Sequence, residues 1–534
     1  MNLSFAGLIG AVAGAALSVA PSLIPRSGPI QGLLAGVLAA IGYGIGALLG
    51  WLLRRIRQRN DWRCEERRRA VALLLGSGTL TVALLFGRRW QAELAEATGV
   101  PGPGMIWVGI AGLVGLGIFL VLLMAGRGVR WLVRRLDRGL QRFATPRVAT
   151  TSAVTVSVLV GAVAVDRLPS TLATTLAPAF RSMNASTPAG VSPPDSPVVS
   201  GGPDSAIPWQ ALGSQGRAFV AGATPASELT SFSGTAARDP IRVFVGFDSA
   251  DTPEQRASLA VTELERFGAF DRSVIAIGTS AGAGTVDPGE VTPLEYMLNG
   301  DLATVSTQYS ILPSFLSFAV DRPTSVTESK ALIEAVRERL DQIPPPRRPR
   351  LVVFGESLGA YGSSGAFTSL DDMMARTDGA MFQGPPNATA LWQRYTAERE
   401  PGTPQRLPVF DQGRHLRWAN TAGDLRTPAT PFLAPRVVYL QNASDPVVWW
   451  SPSLLWSRPD WLTEPRGPGV LTWPWLPVVT FAGLTGDMMN SQGVPPGHGH
   501  VYGTDPAAAW AEILRPAGWS AADTVRLRAH LGDQ

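Results

Sequence analysis

One serine, one aspartate and two histidines in this chain have the types and spacing for nucleophilic acyl chemistry. Ser357 lies in Gly355-Glu356-Ser357-Leu358-Gly359, directly behind the apolar run Leu351-Val352-Val353-Phe354. A G-x-S-x-G segment placed after a strand reads as a tight strand-to-helix turn, in which the glycines let strand and helix approach and leave the serine Oγ exposed. Pro344-Pro345-Pro346 precede the strand, and Gly359, Ala360, Gly362, Ser363, Ser364, Gly365 and Ala366 follow the serine, so the next helix can pack tightly on a sheet. The same pattern also occurs as a plain glycine loop at a surface; the strand in front and the small-residue helix behind favour the turn.

A serine nucleophile needs a base and a group to orient it. After the apolar run Arg436-Val437-Val438-Tyr439-Leu440-Gln441 comes Asn442-Ala443-Ser444-Asp445-Pro446-Val447, which puts the Asp445 carboxylate at the carboxyl end of a strand, where such sites gather. Of the four histidines (His415, His498, His500, His530), two fall in the turn-rich stretch Pro495-Pro496-Gly497-His498-Gly499-His500-Val501-Tyr502-Gly503. One of His498 and His500 is the expected base; His500 is the nearer to the helix expected from Asp505. Two imidazoles spaced this way could also share a metal, but no carboxylate or cysteine cluster surrounds them to complete a site, so neither metal nor cofactor is expected. His530 reads as a solvated helix residue.

Two donors are expected to stabilise a developing oxyanion. The first is the backbone N–H of Leu358, next to the nucleophile; the second should come from a loop that ends an earlier strand. Ile241-Arg242-Val243-Phe244-Val245-Gly246-Phe247 is the best such strand, which nominates Asp248 or Ser249. Alternatively those two residues merely help to cap the helix that begins near Thr252-Pro253-Glu254.

The elements that must hold these residues divide the chain. With 534 residues, 45% hydrophobic and 16% charged, and a mean hydropathy of +0.12, the protein is too apolar for an ordinary soluble enzyme of its length. Nearly uncharged stretches over Leu3–Ile24, Ile30–Leu53, Ala70–Phe86, Met105–Ala125 and Val148–Val165 each approach the length of a membrane-crossing helix, giving five expected spans. Met1 to Phe5 carries no positive residue, so a cleaved signal peptide is not expected. The loop Arg54–Arg69 holds eight arginines and Arg127–Arg147 seven, which assigns both to the cytoplasm, the N-terminus with them, and everything after Val165 to the outside. Val129, Leu132, Val133, Leu136, Leu140 and Phe143 line one face of the second basic stretch, as expected of a segment along the inner leaflet. Gly10-x-x-x-Gly14 and Gly46-x-x-x-Gly50 permit close helix contacts, within one chain or between chains, and leave the oligomeric state open.

Residues 1–167 hold 19 arginines against 7 acidic residues, which leaves 27 basic and 35 acidic residues for the rest. The overall net charge of +4 is thus a property of the membrane part, and no basic patch interleaved with aromatics suggests nucleic-acid binding in the other part. The single cysteine, Cys64, lies in the first basic loop, so the later half contains no disulfide. Residues 166–205, rich in Pro, Ser and Ala, read as a tether between the five-span domain of residues 1–165 and the domain of residues 206–534. In the latter, strand candidates at 241–247, 273–278, 302–308, 351–354, 378–382, 436–441 and 477–481 alternate with helices at 253–267, 326–341 and 505–515. Alternation of this kind, with the chain order Ser, acid, His, predicts an α-helical transmembrane domain followed by an α/β domain of the α/β-hydrolase fold, a mostly parallel sheet with helices on both faces. Trp449, Trp450, Trp456, Trp461, Trp473 and Trp475 crowd a proline-broken stretch before the histidine pair; they read as a lid or apolar acceptor surface, or else as a packed cap.

The strings Val245-Gly246-Phe247-Asp248-Ser249-Ala250-Asp251-Thr252, Glu263-Leu264-Glu265-Arg266-Phe267-Gly268-Ala269-Phe270-Asp271-Arg272-Ser273, Gly355-Glu356-Ser357-Leu358-Gly359 and Gly497-His498-Gly499-His500 resemble the membrane-anchored α/β-hydrolase family of high-GC Gram-positive bacteria. The resemblance implies a multi-span N-terminal domain joined to a C-terminal hydrolase domain, and it implies no substrate. The chain departs from the family pattern in Thr279–Thr285, where Ala281 and Thr285 stand in place of a threonine and a tryptophan. The expected function is a membrane-anchored, outward-facing serine hydrolase of the esterase or lipase kind, which acts on a lipidic or cell-envelope ester at the bilayer. Two alternatives share the same residues: an envelope acyltransferase, and a non-catalytic membrane-associated binding protein.

Overall fold

Seven short runs rich in Val, Ile, Phe and Ala are buried along nearly their whole length, as strands covered on both faces must be. They are β1 (Ile241–Val245), β2 (Val274–Gly278), β3 (Leu302–Thr307), β4 (Arg350–Glu356), β5 (Gly379–Gln383), β6 (Leu416–Ala419) and β7 (Arg436–Leu440). In the computed structural model, which describes residues 3–57, 65–140 and 146–532, they form one sheet in the order β1-β3-β2-β4-β5-β7-β6. Every pairing is parallel. The helix Arg322–Asp341 packs on the helices Pro253–Arg266 and Leu358–Gly365, which lie on β1 and β3 and on β4 and β5 respectively, while Asp505–Leu514 packs on β5, β7 and the helix Pro288–Met297. The mid-sheet position of β4 puts its carboxyl end, and therefore Ser357, between the ends of β2 and β5.

The expected strand at 477–481 does not form; Val479–Met488 is a helix. Its β-branched start is overridden by packing: a Cβ on Gly483 would sit 2.9 Å from the Arg26 guanidinium, and one on Gly486 would sit 2.6 Å from Leu34. β6 was not expected, because its four residues, Leu416-Arg417-Trp418-Ala419, show neither alternation nor an apolar run; it is an edge strand.

The chain forms two compact units, Met1–Leu168 with Trp450–Gly499, and Pro169–Trp449 with His500–Gln534. These boundaries differ from the expected ones. The segment 166–205 is not an open tether: α5 (Pro146–Ala185) continues through Pro169 and Pro178 to Ala185, whose carbonyl accepts a hydrogen bond from Arg217. Beyond it, Val199 bridges to Arg242 of β1, and the buried Ser200 donates its N–H to the Arg242 carbonyl. The edge of the sheet, which would otherwise leave backbone groups unpaired, is what orders this polar stretch.

In the first unit, α1 (Phe5–Leu17) is followed by α2 (Gly28–Arg57), α3 (Glu65–Ala97) and α4 (Ile106–Leu140). Among the described residues three helices are long and apolar enough to cross a membrane, over Gly28–Leu53, Ala70–Ala97 and Ile106–Arg138. The span expected over Leu3–Ile24 is cut short, because α1 ends after 13 residues, about 20 Å, and the chain turns through Pro21 and Pro25. The span expected over Val148–Val165 falls within α5, and most of its side chains lie outside the described ones. The centres of both arginine-rich loops, residues 58–64 with Cys64 and residues 141–145 with Phe143, also lie outside them. Val129 to Leu140 forms no separate surface helix, since α4 runs through it unbroken. Of the glycine motifs, Gly10, Gly14 and Gly46 serve an intrachain contact between α1 and α2: a Cβ on Gly10 would lie 2.1 Å from the Gly42 carbonyl, on Gly14 2.1 Å from that of Leu38, and on Gly46 2.2 Å from that of Ala6.

The segment Trp450–Gly499 is fastened inside this unit by a buried polar network. Asp487 accepts from Ser22 Oγ at 2.8 Å, Leu23 N at 2.9 Å and Arg26 Nε at 2.8 Å. Arg26 in turn donates to Ser18 O and Gln31 Oε1. The tryptophans of this segment pack mostly among themselves and their neighbours: Trp461 against Trp473, Trp450 against Phe481, and Trp475 through its Nε1 to Leu454 O. Trp456 alone among them is strongly exposed, at 68%.

Candidate active site

Ser357 occupies the turn between β4 and the helix Leu358–Gly365, with φ 55° and ψ −120°, a backbone conformation that a residue bearing a Cβ adopts only under strain. Both flanking glycines are required by close approach. A Cβ on Gly355 would fall 2.5 Å from the Gly359 carbonyl carbon, and one on Gly359 would fall 2.2 Å from Thr279 O. The turn is held by Ser357 N–H donating to Gln383 O at 2.9 Å and Tyr361 N–H donating to Ser357 O at 3.0 Å.

Asp445 follows the end of β7 and is fully buried. Its Oδ1 accepts the N–H of Val447 at 2.8 Å, and its Oδ2 lies 2.7 Å from His500 Nδ1. The structure therefore pairs the expected acid with His500. His498 has no such partner: its Nδ1 is buried without a hydrogen bond, it lies against Gly469, and burial lowers its pKa. His500 and Ser357 meet through adjacent residues of one strand end. Gln383 O receives the serine amide, and the next residue, Gly384, has φ +53° and would place a Cβ 2.4 Å from His500 Cε1. His500 Nε2 is buried and has no hydrogen-bond partner, Ser357 Oγ included; such contacts often tighten only when substrate is bound.

The residues expected as oxyanion donors divide. Leu358, the first helical residue after the serine, is buried beside it. Asp248 and Ser249 are not near it, because β1 lies three strand spacings from β4, about 14 Å at the usual separation. Ser249 donates its N–H to Gly246 O and its hydroxyl to Ala211 O, and the exposed Asp248 lies 4.0 Å from Arg181. The loop adjoining the serine belongs instead to β2, which pairs directly with β4. There Thr279 N–H donates to Phe354 O, Ala281 N–H to Thr285 O and Gly282 N–H to Tyr309 Oη, while Ser280 lies against the helix after the serine, its carbonyl carbon 3.5 Å from where a Cβ on Gly359 would sit.

Two further side chains complete the surroundings of His500. Tyr502 Oη donates to Asp445 Oδ2 at 2.6 Å, and burial with the Asp445 charge pushes its own pKa well up, so it stays a donor. Glu356, the residue before the nucleophile, brings Oε1 within 3.9 Å of His500 Nε2. Both were legible only as neighbours of motif residues. An apolar cluster of Ala281, Tyr309 and Leu358, with Phe318 and Tyr361 packed against it, adjoins the turn.

A profile of the Alpha/beta-hydrolase family matches residues 241–527, and one of the Alpha/beta-hydrolase family N-terminus matches residues 19–224. No curated protein and no solved structure matches the chain. With more than half of its residues under the first of these profiles, with a seven-stranded parallel sheet, and with apolar helices ahead of it, the chain belongs to the alpha/beta-hydrolase family.

Proposed function

We propose that the protein is a membrane-anchored serine hydrolase that cleaves carboxylic esters with an apolar, lipidic acyl part by way of an acyl-enzyme on Ser357. The observation that carries this reading is a strained serine at a strand-to-helix turn, joined across Gln383–Gly384 to the buried Asp445–His500 pair. His500 Nε2 takes the Oγ proton as Ser357 attacks the ester carbonyl, and the imidazolium then gives it to the leaving alkoxide as the C–O bond breaks. Water repeats the sequence on the acyl-enzyme and releases the acid. Asp445 fixes the proton on Nδ1 and stabilises the imidazolium. The N–H groups of Leu358 and Ser280 serve as the oxyanion hole; mutagenesis of such donors elsewhere gives losses of about 10²- to 10³-fold each. The apolar cluster beside Leu358 supports an apolar acyl group in preference to a charged one.

The test is labelling of the full-length protein by a short alkyl fluorophosphonate, with the modified peptide identified. Label on Ser357 and none on a Ser357→Ala variant is the expected result; an unlabelled wild type overturns the reading. The arginine-rich loops support a cytoplasmic side for residues 54–69 and 127–147 and a catalytic unit outside the cell membrane, with the bilayer as the enzyme's working surface. A reporter active only outside the cytoplasm should be on when fused after Ala206 and off after Arg59; the reverse pattern overturns that orientation.

A further inference from the structure

The imidazole of His500 is held from two sides, and only one of them belongs to the usual serine, histidine and acid arrangement. On the Nδ1 side stands Asp445 at 2.7 Å. On the Nε2 side, where a general base must face its nucleophile, stands the carboxyl of Glu356, with Oε1 at 3.9 Å. This placement follows from the elbow itself: Glu356 is the last residue of β4, in register with Gln383 of β5, one residue ahead of Ser357. Its surroundings are acidic. Asp287 accepts from Gln383 Nε2 at 2.8 Å and caps the helix Pro288–Met297, whose Glu290 is buried with Oε1 unpartnered. The titratable groups that act on Glu356 and His500 are Asp287 and Glu290 from that helix and its cap, Asp445 after β7, and the hydroxyl of Tyr502, which stays protonated. His500 is the one group among them that can carry positive charge.

We propose that Glu356 is a positioning residue for the general base: its carboxylate faces Nε2 and holds His500 as imidazolium in the resting enzyme, so that the base becomes available only when that proton leaves Nε2. The inference rests on the serine hydrolase reading. The step is balanced within the pair. The proton passes from Nε2 to Glu356 Oε1, the carboxylate becomes a neutral acid, and the imidazolium becomes the neutral imidazole that Ser357 requires. Any substrate group that excludes water from Glu356 favours this transfer, because burial disfavours the charged carboxylate.

The electrostatics agree with the geometry. Burial pushes Glu356 up to about 7 against the opposing charge of His500. His500 is lowered by burial, but the Asp445 charge and hydrogen bond, with Glu356 and Asp287 behind them, raise it to about 9. The two groups titrate as a pair, losing one proton near the lower value and the second near the higher, and between them a single proton serves both. The free base is complete only above the higher value. Replacing Glu356 by a neutral isostere removes the nearer of the two charges on that side, so the pH at which His500 is released must fall.

The experiment is the pH dependence of the rate of Ser357 labelling by a short alkyl fluorophosphonate, measured on full-length protein from pH 5.5 to pH 10. Wild type should show an alkaline limb near pH 9. In Glu356→Gln the limb should move down by about one unit or more, with labelling at pH 7 faster by about tenfold, the size expected for loss of an adjacent opposite charge. Glu356→Asp, which keeps the charge, should hold the limb near its wild-type position. An unmoved limb in Glu356→Gln, or a parallel loss at every pH, overturns the proposal, since a merely structural residue would lower the rate without moving the limb. Should Glu356→Gln fail to fold, Asp287→Asn must move the limb in the same direction by a smaller amount, and an unmoved limb there overturns it equally. A wild type that takes no label at any pH overturns the serine hydrolase reading together with this one, a result distinct from labelling with an unmoved limb.

Discussion

The hydroxyl of Tyr502 donates to Asp445 Oδ2 at 2.6 Å, the same oxygen that lies 2.7 Å from His500 Nδ1. One carboxylate oxygen therefore carries two buried partners, while the other is fixed by the Val447 N–H. Tyr502→Phe removes one donor to a buried charge and is expected to destabilise the protein by about 1.5–3 kcal/mol. It should also slow Ser357 labelling, because Asp445 is then held against the imidazole by one fewer donor. Thermal unfolding and labelling rates check this; neither changing would show the hydroxyl to be idle.

His500→Ala and His498→Ala separate the two histidines. The first should lower the turnover of a soluble ester by about 10³-fold or more, since the proton acceptor and the Asp445 contact vanish together. The second should leave turnover within a few-fold of wild type. Equal losses at both positions would contradict the assignment of the base to His500.

Gly384→Ala is a geometric test. The new methyl would sit 2.4 Å from His500 Cε1 and 3.1 Å from Asp445 Oδ2, at a residue with φ +53°. The imidazole must move off the carboxylate, and a displacement of about 1 Å at a catalytic group costs on the order of 10²-fold in rate. Retained fold by circular dichroism with retained activity would show that the ring has another stable position.

Asp487→Ala leaves Arg26 buried without its carboxylate. Side-chain exposure is 1% for Arg26 and 0% for Asp487, and breaking such a pair typically destabilises by about 3–5 kcal/mol. Limited proteolysis of full-length protein should then cleave within Trp450–Gly499, whereas the double apolar replacement Arg26→Met with Asp487→Leu should recover much of the resistance. Unaltered proteolysis of the single variant would mean that the segment is held by its apolar contacts alone.

Much of the α/β domain was written locally. A strand followed by G-x-S-x-G can be read from composition because the turn tolerates only small residues beside the serine, and the distances at Gly355 and Gly359 give the cause. Asp445 could be found because strand ends in a parallel sheet converge on one edge. The apolar lengths of α2, α3 and α4 are a one-dimensional property, set by bilayer thickness and visible without any contact. By contrast, His498 and His500 are equivalent in sequence, and only the approach of β7 to the returning chain selects the second. Asp248 and Ser249 were misplaced because strand order is not chain order: β3 and β2 intervene between β1 and β4, so that the loop after β2, not the one after β1, adjoins the serine. The helix at Val479–Met488, the ordered stretch at Ser200 and the charge of Glu356 beside Nε2 depend on partners far away in the chain. Short-range propensity and motif spacing are fixed by neighbouring residues, whereas strand order, burial and the electrostatics between distant side chains exist only once the chain has folded.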